Sequence, residues 1–404
     1  MLRKVITFAL LGVMIIASAA FAVEIDFWHA MSSRHQENLQ VLLDKFAEEH
    51  PDITVNVTYQ GRYSELEQKI GAATVAGNLP TIAQVYENWV TPIAEILVPI
   101  GDYMTDEEKD DIIDGLVASN TYDGVLTTVP FNKSIMVLYY DKAVIETPPA
   151  TWAEFVAMAE ALTVDNDGDG VIDTYGVGTQ LNAEHFLNFL SQAGGTILNE
   201  DWTEVTINNE AGLAAAEHVA AFQPFTFVTS EYLSNHFPLA CSMFIDTSAG
   251  YYYNNKAAEG AGTTMGVARV PAGPGGQSSM IQGTNLAVFG TDTWSQEQID
   301  AAVTFAKFLI RADNTVFWAI RSGYQPVIKS AYETQEWVDY VASHEYQQAM
   351  SAQMLDGISQ ILHPNYGDFR PIISTGYEEL MEAVTTPLDA VNNMAAELEL
   401  LLDE

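Results

Sequence analysis

The chain has 404 residues, 48% of them hydrophobic, which is enough to bury a large core and to form two lobes. Its 54 acidic residues far outnumber its 16 basic residues, and the formal net charge is −38. Nucleic acid and anionic membrane surfaces are therefore excluded as partners, because both require a basic footprint. We interpret the acidic excess as a solubilising surface.

The N-terminal segment is predicted to be a cleaved secretory signal peptide. Residues 1–22 combine an Arg-Lys pair, a short apolar run and the small-residue ending "AFA". The mature chain is expected to begin near Val23 and to be periplasmic. The single cysteine, Cys241, lies far from this point. Neither a disulfide framework nor a lipid-accepting N-terminal cysteine is therefore expected.

The first hundred residues predict repeated β-α-β units. Apolar residues alternate over 24–29 and 53–59, and "TIAQVY" at 81–86 predicts a third strand. Apolar residues at helical spacing lie between these strands, and Ser33 with Gln36 predicts a capping box at the start of the first helix. Such units indicate an α/β fold with a mostly parallel sheet, whose ligands gather beyond the carboxyl ends of its strands.

The later chain continues the α/β pattern. Thr151 with Glu154 predicts a second capping box, which opens a helix through Ala161. Residues 270–280, "VPAGPGGQSSM", are predicted to be a connector between lobes. Helical periodicity returns in three further segments: 211–222, 298–312 and 387–404.

An Asp-rich loop at 165–176, "DNDGDGVIDTYG", matches the calcium loop of an EF-hand over most of its length. The twelfth position, which holds a bidentate Glu in that pattern, is Gly176. The sequence is compatible with a structural calcium ion in this loop, and it is also compatible with a loop that holds no metal. A sensor role is not expected. The candidate ligands are the carboxylates of Asp165, Asp167, Asp169 and Asp173 and the carbonyl of Val171.

Six segments resemble, in order and spacing, the extracellular solute-binding proteins of family 1 that serve ABC importers, and most closely their sn-glycerol-3-phosphate-binding branch. The segments are "FWHAM", "QVYEN", "VPFNKSIMVLYYDK", "PPATWAEF", "IQGTNLAVF" and "RSGYQPVIKSAY". The resemblance implies a two-lobed, type II periplasmic binding protein fold with a hinge of two or three crossing strands. Its implied boundaries are 23–133 and 282–327 for the N-lobe, and 134–281 and 328–404 for the C-lobe.

The resemblance also implies a ligand site of seven residues: Tyr63, Glu87, Ser134, Thr247, Gly283, Tyr324 and Arg370. Thr247 replaces a serine of the family and keeps its hydroxyl. The chemistry suits a phosphate ester, because the guanidinium of Arg370 can donate paired, charge-assisted hydrogen bonds to phosphate oxygens. Gly283 has no side chain, so its backbone N–H could approach the ligand closely. Glu87 would accept hydrogen bonds from glycerol hydroxyls.

One departure leaves the organic half of the ligand open. Val177 and Gln180 stand where the glycerol-3-phosphate branch has two tryptophans, so an aromatic wall is missing or rebuilt. The ligand is therefore expected to be sn-glycerol-3-phosphate or a glycerophosphodiester, and a sugar or oligosaccharide is the alternative. Besides this small molecule, the expected partners are the permease subunits of an ABC importer.

A secreted carbohydrate- or phosphodiester-active hydrolase is the alternative of another class. Such an enzyme would need two carboxylates facing one another across a cleft. The sequence contains no nucleophile elbow, zinc-binding histidine motif or phosphate-cradling glycine loop. A binding protein without catalytic residues and without a required cofactor is therefore predicted.

Overall fold

The computed structural model describes residues 22–359, 361, 363 and 365–402. The predicted signal peptide, apart from its last residue, lies outside the described residues. Within the described part of the chain, no helix is both long enough and apolar enough to cross a membrane.

The strands of the described residues form one large sheet and a separate two-stranded hairpin. In chain order they are β1 (Val23–His29), β2 (Ile53–Tyr59), β3 (Ile82–Val85), β4 (Thr121–Tyr122), β5 (Val125–Leu126), β6 (Thr128–Asp141), β7 (Tyr175–Gln180), β8 (Thr226–Thr229), β9 (Cys241–Thr247), β10 (Met265–Ala268), β11 (Ser279–Val288) and β12 (Gly357–Ile358). The hairpin consists of β4 and β5.

Helices connect most of these strands and close the chain. The first are α1 (Ser33–Glu49), α2 (Tyr63–Ala76), α3 (Glu87–Val90), α4 (Asp106–Asp110), α5 (Asp114–Val117), α6 (Trp152–Leu162), α7 (Ala183–Gln192) and α8 (Glu210–Phe222). They are followed by α9 (Tyr251–Gly260), α10 (Gln296–Ile310), α11 (Ala312–Ser322), α12 (Gln335–Ser343), α13 (Glu345–Leu355), α14 (Tyr366–Met381) and α15 (Pro387–Leu402).

The N-lobe sheet has the order β2-β1-β3-β11-β6. The predicted β-α-β units are confirmed, since β1, β2 and β3 are parallel, whereas β11 runs antiparallel to both of its neighbours, β3 and β6. Leu42 and Phe46 of α1 share a buried cluster with Phe27 of β1. Leu66 and Ile70 of α2 belong to a second cluster, which contains residues of β3. Helices thus bury the apolar side chains of this sheet.

The C-lobe sheet continues the same strand order through β9, β7 and β8, with β10 along the other edge of β6. Strands β7, β8 and β9 are mutually parallel, and β9 is antiparallel to β6. Helices α6, α7, α8, α14 and α15 contribute to one buried cluster against this sheet. The apolar spacing that predicted helices at 211–222 and in the closing segment thus marks buried faces.

Three segments cross between the lobes. Strand β6 pairs with β11 up to Ile135 and with β9 from Met136 onward. Strand β11 also runs between the lobes, with a register shift after Thr284. The third segment follows α11, where the N–H of Gln325 donates to the carbonyl of Lys133 at 2.7 Å. The two-lobed α/β fold is therefore confirmed, and the predicted lobe boundaries near 133 and 282 fall inside β6 and β11.

Of the two predicted capping boxes, one is confirmed and one is wrong. The hydroxyl of Thr151 accepts from the N–H of Glu154 at 3.3 Å, and the Glu154 carboxylate accepts from the N–H of Thr151 at 3.1 Å. The box at Ser33 does not form. Ser33 has a φ of 49°, outside the extended conformation that an N-cap adopts, and Ser32 takes the cap position without a side-chain hydrogen bond.

The predicted interlobe connector at 270–280 is also wrong, because most of this segment packs on the C-lobe. The N–H of Trp152 donates to the carbonyl of Ala272 at 3.0 Å, and the N–H of Gly275 donates to the carbonyl of Gln192 at 2.7 Å. The crossing takes place within β11 instead. A paired strand keeps its backbone hydrogen bonds across the hinge, which a Gly-rich loop would not do.

Candidate functional site

A cavity of about 600 Å³ lies between the two lobes. Helices α2 and α3, which follow the carboxyl ends of β2 and β3, form its N-lobe side, as expected for an α/β sheet. The N-lobe lining residues are Tyr63, Ser64, Glu67, Tyr86, Asn88 and Trp89. The C-lobe and the crossing strands contribute Met136, Asn182, Glu184, His185, Asp246, Gln282, Gly367, Asp368 and Arg370.

Three aromatic rings form a continuous wall on the N-lobe side. Tyr63 and Tyr86 meet edge to face with ring centroids 5.0 Å apart, and Tyr86 and Trp89 do so at 5.2 Å. Tyr86 and Trp89 were not predicted as site residues, although Tyr86 ends the strand predicted at 81–86 and Trp89 follows three residues later. At the family's tryptophan positions, Val177 is buried in the C-lobe core and Gln180 ends β7. The aromatic surface of the cavity therefore belongs to the N-lobe, whereas the family's tryptophan positions lie on β7 of the C-lobe.

The predicted phosphate ligand Arg370 lies in the first turns of α14 and lines the cavity. Its guanidinium forms an ion pair with Glu184, whose side chain is only 8% exposed, whereas that of Arg370 is 47% exposed. Burial acts to lower the pKa of Arg370, but the neighbouring Glu184, together with Tyr366 and Tyr86, outweighs burial and raises this pKa. Arg370 therefore presents a permanent charge that is already partly neutralised.

Carboxylates dominate the electrostatics of the cavity. Glu67, Glu184, Asp246 and Asp368 line it, against the single guanidinium of Arg370. Burial raises the pKa of Glu67 and raises that of Asp246 to about 6, although the N–H of Thr247 donates to the Asp246 carboxylate at 2.7 Å. The cavity thus has a net negative potential, which disfavours ligands with more than one negative charge.

Tyr63 and Tyr324, both predicted ligand contacts, belong to one hydrogen-bond network. The amide of Asn132 on β6 donates to the hydroxyl of Tyr63 at 3.1 Å, and the hydroxyl of Tyr324 contacts both residues. Burial raises the pKa of both tyrosines, so both stay protonated and can donate. The network joins α2 to two of the three crossing segments.

Ser134 and Thr247 are also brought together, on neighbouring strands. The hydroxyl of Thr247 at the end of β9 donates to the hydroxyl of Ser134 on β6 at 2.7 Å. Neither residue is part of the cavity lining, but Met136 and Asp246, close to them in sequence, are. The two hydroxyls therefore lie beside the cavity and are bonded to one another.

Glu87 and Gly283 lie deeper than a ligand contact would require. Glu87 is 2% exposed and forms an ion pair with the fully buried Lys133. The ammonium group of Lys133 also donates to the carbonyl of Gly283 at 3.2 Å. Lys133 was missed in the sequence, where it stands between two residues of "PFNKS". A fully buried lysine is rare unless it is paired, and the distant partner is not visible in the sequence.

The Asp-rich loop lies between α6 and β7. Carboxylate oxygens of Asp165, Asp167 and Asp173 come within 4.8 Å of one another, so these three could hold one cation. The carboxylate of Asp169 accepts instead from the N–H of Val171 at 2.7 Å. Of the five predicted ligands, the carboxylates of three therefore converge.

A two-lobed molecule with a polar cavity between its lobes and three crossing segments behind it is a binding protein of the clamp type, which closes around its ligand. The chain belongs to the bacterial extracellular solute-binding protein family, whose family model matches residues 42–345. It is the solute-binding component of an ABC importer, as the resemblance of its motifs implied.

A curated relative agrees with this assignment, and solved structures share the fold. The chain is 27% identical over 357 residues to the sn-glycerol-3-phosphate-binding periplasmic protein UgpB of Escherichia coli K12, covering 80% of this chain and 78% of the relative. The cyclic alpha-maltosyl-1,6-maltose binding protein of Arthrobacter globiformis superposes with a TM-score of 0.83 at 20% identity, covering 94% and 99% of the two chains. UgpB of Mycobacterium tuberculosis in complex with glycerophosphocholine has a TM-score of 0.77 at 22% identity, covering 95% and 99%.

Proposed function

We propose that the chain captures a glycerophosphodiester or sn-glycerol-3-phosphate in the interlobe cavity and delivers it to an ABC permease. The observation that carries the proposal is that Tyr63 and Arg370, two predicted ligand contacts, line one cavity from opposite lobes. A ligand that contacts both lobes stabilises the closed state by its differential affinity, and the closed form is the one that docks on the permease. The names of the relatives support a glycerol phosphate ester as the ligand.

The charges of the cavity favour a diester over the monoester. A phosphate monoester carries nearly two negative charges near neutral pH, whereas a phosphodiester carries one. Among the described residues that line the cavity, Arg370 is the only permanent cation, and it already faces Glu184, with three further carboxylates around it. A singly charged phosphate therefore leaves less uncompensated repulsion. The aromatic wall can pack against the second substituent of a diester.

Titration calorimetry tests this proposal. The ligands are glycerophosphocholine, sn-glycerol-3-phosphate, maltose and inorganic phosphate, each titrated into the mature protein. We expect glycerophosphocholine to bind most tightly, sn-glycerol-3-phosphate more weakly, and inorganic phosphate not at all. If neither ester binds, the proposed ligand class is wrong.

A sugar is the second candidate ligand. Its support is the combination of four carboxylates, which accept hydrogen bonds from hydroxyl groups, with three aromatic rings that can pack against the apolar faces of pyranose rings. The Arthrobacter globiformis structure is that of a sugar-binding protein. Binding of maltose in the same titrations, without binding of either ester, would establish this alternative.

We expect capture without turnover and without a required cofactor. A hydrolase would convert glycerophosphocholine to choline or to phosphocholine during prolonged incubation, and either product is readily separated from the substrate. Recovery of the unchanged diester after release from the protein supports pure binding. Accumulation of either product would instead identify the hydrolase alternative.

Asp246→Asn is expected to stabilise the protein at neutral pH. Burial raises the pKa of Asp246 to about 6, from 3.8, so ionisation of this carboxyl opposes folding increasingly as the pH rises from about 4 to 6. The substitution should therefore raise the free energy of unfolding by about 1–3 kcal/mol at pH 7.5 and by much less at pH 4. Urea denaturation at both pH values measures the difference. Asp368→Asn, at an exposed cavity residue, is the control, and an equal gain at both pH values would contradict the assignment.

The Asp-rich loop is proposed to hold a structural calcium ion. Calcium that binds only the folded protein with a Kd of about 0.1–1 mM would add about 1–3 kcal/mol of stability at 10 mM. We expect CaCl2 to raise the melting temperature of the wild type, whereas Asp165→Asn should remove this shift. Asp52→Asn, at an exposed acidic residue elsewhere, should leave it intact. An equal shift in all three proteins would indicate a general ionic effect and exclude a specific site.

A further inference from the structure

We propose that Lys133 is a positioning residue, which holds the aromatic wall of the interlobe cavity in place through its ion pair with Glu87. This proposal rests on the binding function proposed above. Lys133 itself is 0% exposed and is not part of the cavity lining, so it cannot act by touching the ligand. Any effect on binding must pass through the groups that it contacts.

Lys133 sits where the three crossing segments meet. It lies on β6 and pairs in register with Gly283 on β11, whose carbonyl accepts from its ammonium group at 3.2 Å. Its own carbonyl accepts from the N–H of Gln325, in the third segment, at 2.7 Å. Lys133 is therefore part of one crossing segment and contacts the other two through its side chain and its backbone.

Glu87 carries the other end of the ion pair into the cavity wall. It is the first residue of α3, and its neighbours Tyr86, Asn88 and Trp89 all line the cavity. A helix of four residues has little stability of its own, so tertiary contacts must fix its orientation. The ion pair between Glu87 and Lys133 is the charged contact that anchors α3 to the hinge.

The energetics favour a role in positioning over a role in stability. Removing two charges from water is costly, and a well-packed apolar pair of similar volume would often stabilise a fold as well or better. Burial lowers the pKa of Lys133, and the Glu87 carboxylate acts in the opposite direction, so the two charges depend on each other. An apolar pair cannot supply a directional contact at a defined position. The ion pair between Lys133 and Glu87 does supply such a contact, and it links the hinge to α3.

The test is the double variant Lys133→Met/Glu87→Met, which removes both charges and leaves neither unpaired. We expect it to fold and to melt close to the wild type. In hydrogen–deuterium exchange without ligand, the amides of 86–96 should exchange at least tenfold faster, while those of α7 and α14 on the opposite side stay unchanged. Binding of glycerophosphocholine should weaken at least tenfold.

The matched control is Lys307→Met/Glu108→Met, at another Lys–Glu ion pair of 2.9 Å that lies outside the cavity lining. This control variant should change neither the rate of hydrogen–deuterium exchange at 86–96 nor the binding of glycerophosphocholine. The single substitutions complete a cycle, in which Lys133→Met should weaken binding at least tenfold in the wild type but less than twofold in the Glu87→Met background.

Wild-type exchange at 86–96 in the double variant would overturn the proposal, whatever the ligand. Wild-type affinity in the double variant would overturn it as well and would show that the pair serves only the fold. Equal losses for Lys133→Met in both backgrounds would mean that Lys133 does not act through Glu87. Absence of ester binding in the wild type would reject the proposed ligand, and the exchange experiment would still decide the role of Lys133.

Discussion

Replacing Arg370 by alanine is expected to weaken the binding of glycerophosphocholine by about 30- to 5000-fold, equivalent to about 2–5 kcal/mol. The substitution removes the one permanent cation that the described part of the chain contributes to the cavity lining, and it leaves four carboxylates around the phosphate. Part of the loss comes from Glu184, which is nearly buried and would lose its ion-pair partner. Calorimetric titration of purified Arg370→Ala measures the effect directly.

Two further variants separate these contributions. Arg370→Ala/Glu184→Gln removes the uncompensated carboxylate and should recover part of the affinity, but not all of it. Arg269→Ala breaks a comparable pair with Asp356, outside the cavity lining, and should leave affinity unchanged. If Arg370→Ala binds the diester as the wild type does, the assignment of Arg370 to the phosphate is incorrect.

Gly283→Ala is expected to lower the free energy of unfolding by about 2–6 kcal/mol. Gly283 has a φ of 113°, which L-residues rarely adopt, and a Cβ there would lie 1.9 Å from the carbonyl oxygen of Asn132. The backbone strain and the steric overlap therefore add, at a position where β11 pairs with β6 between the two lobes. Urea denaturation of the variant, monitored by far-UV circular dichroism, gives the loss.

Gly276→Ala provides the control for this prediction. Gly276 has a φ of 130°, but no atom lies within 4 Å of its ideal Cβ position. This variant keeps the backbone strain without the steric overlap and should lose only about 1–3 kcal/mol. Equal losses at the two glycines would show that contact with β6 contributes nothing.

Local patterns in the sequence were sufficient to predict most of the helices and strands and the class of fold. The alternation at 53–59 and the apolar spacing around Leu42 correspond to β2 and α1. The helical spacing reflects burial of one face of α1, whereas β2 lies at the edge of the sheet and only its Ile53 and Val55 are partly buried. The antiparallel insertion of β11 beside β3 was not predicted from periodicity. A strand that is buried on both faces has no alternation, and nothing local specifies its distant partner.

The candidate site was predictable only where one residue type determines the chemistry. Arg370 and Tyr63, which the resemblance predicts as ligand contacts, both line the cavity. The partners Glu184 and Lys133 are contacts between residues far apart in the chain, and no spacing rule connects them to Arg370 and Glu87. The sequence could therefore suggest which residues are important, but not that Glu87 is engaged in the hinge instead of facing the cavity.

The order of strands in the N-lobe sheet has a consequence for biogenesis. Residue Val85 of β3 pairs with Asn285 of β11, so β3 lacks its second neighbour until about 200 further residues have been synthesised. A sheet completed across such a distance forms slowly, because the entropy cost of closing the long loop comes before the stabilising contacts can form. The N-lobe sheet should consequently stay incomplete for most of the synthesis of the chain, which favours a state that can still be threaded through a translocation channel.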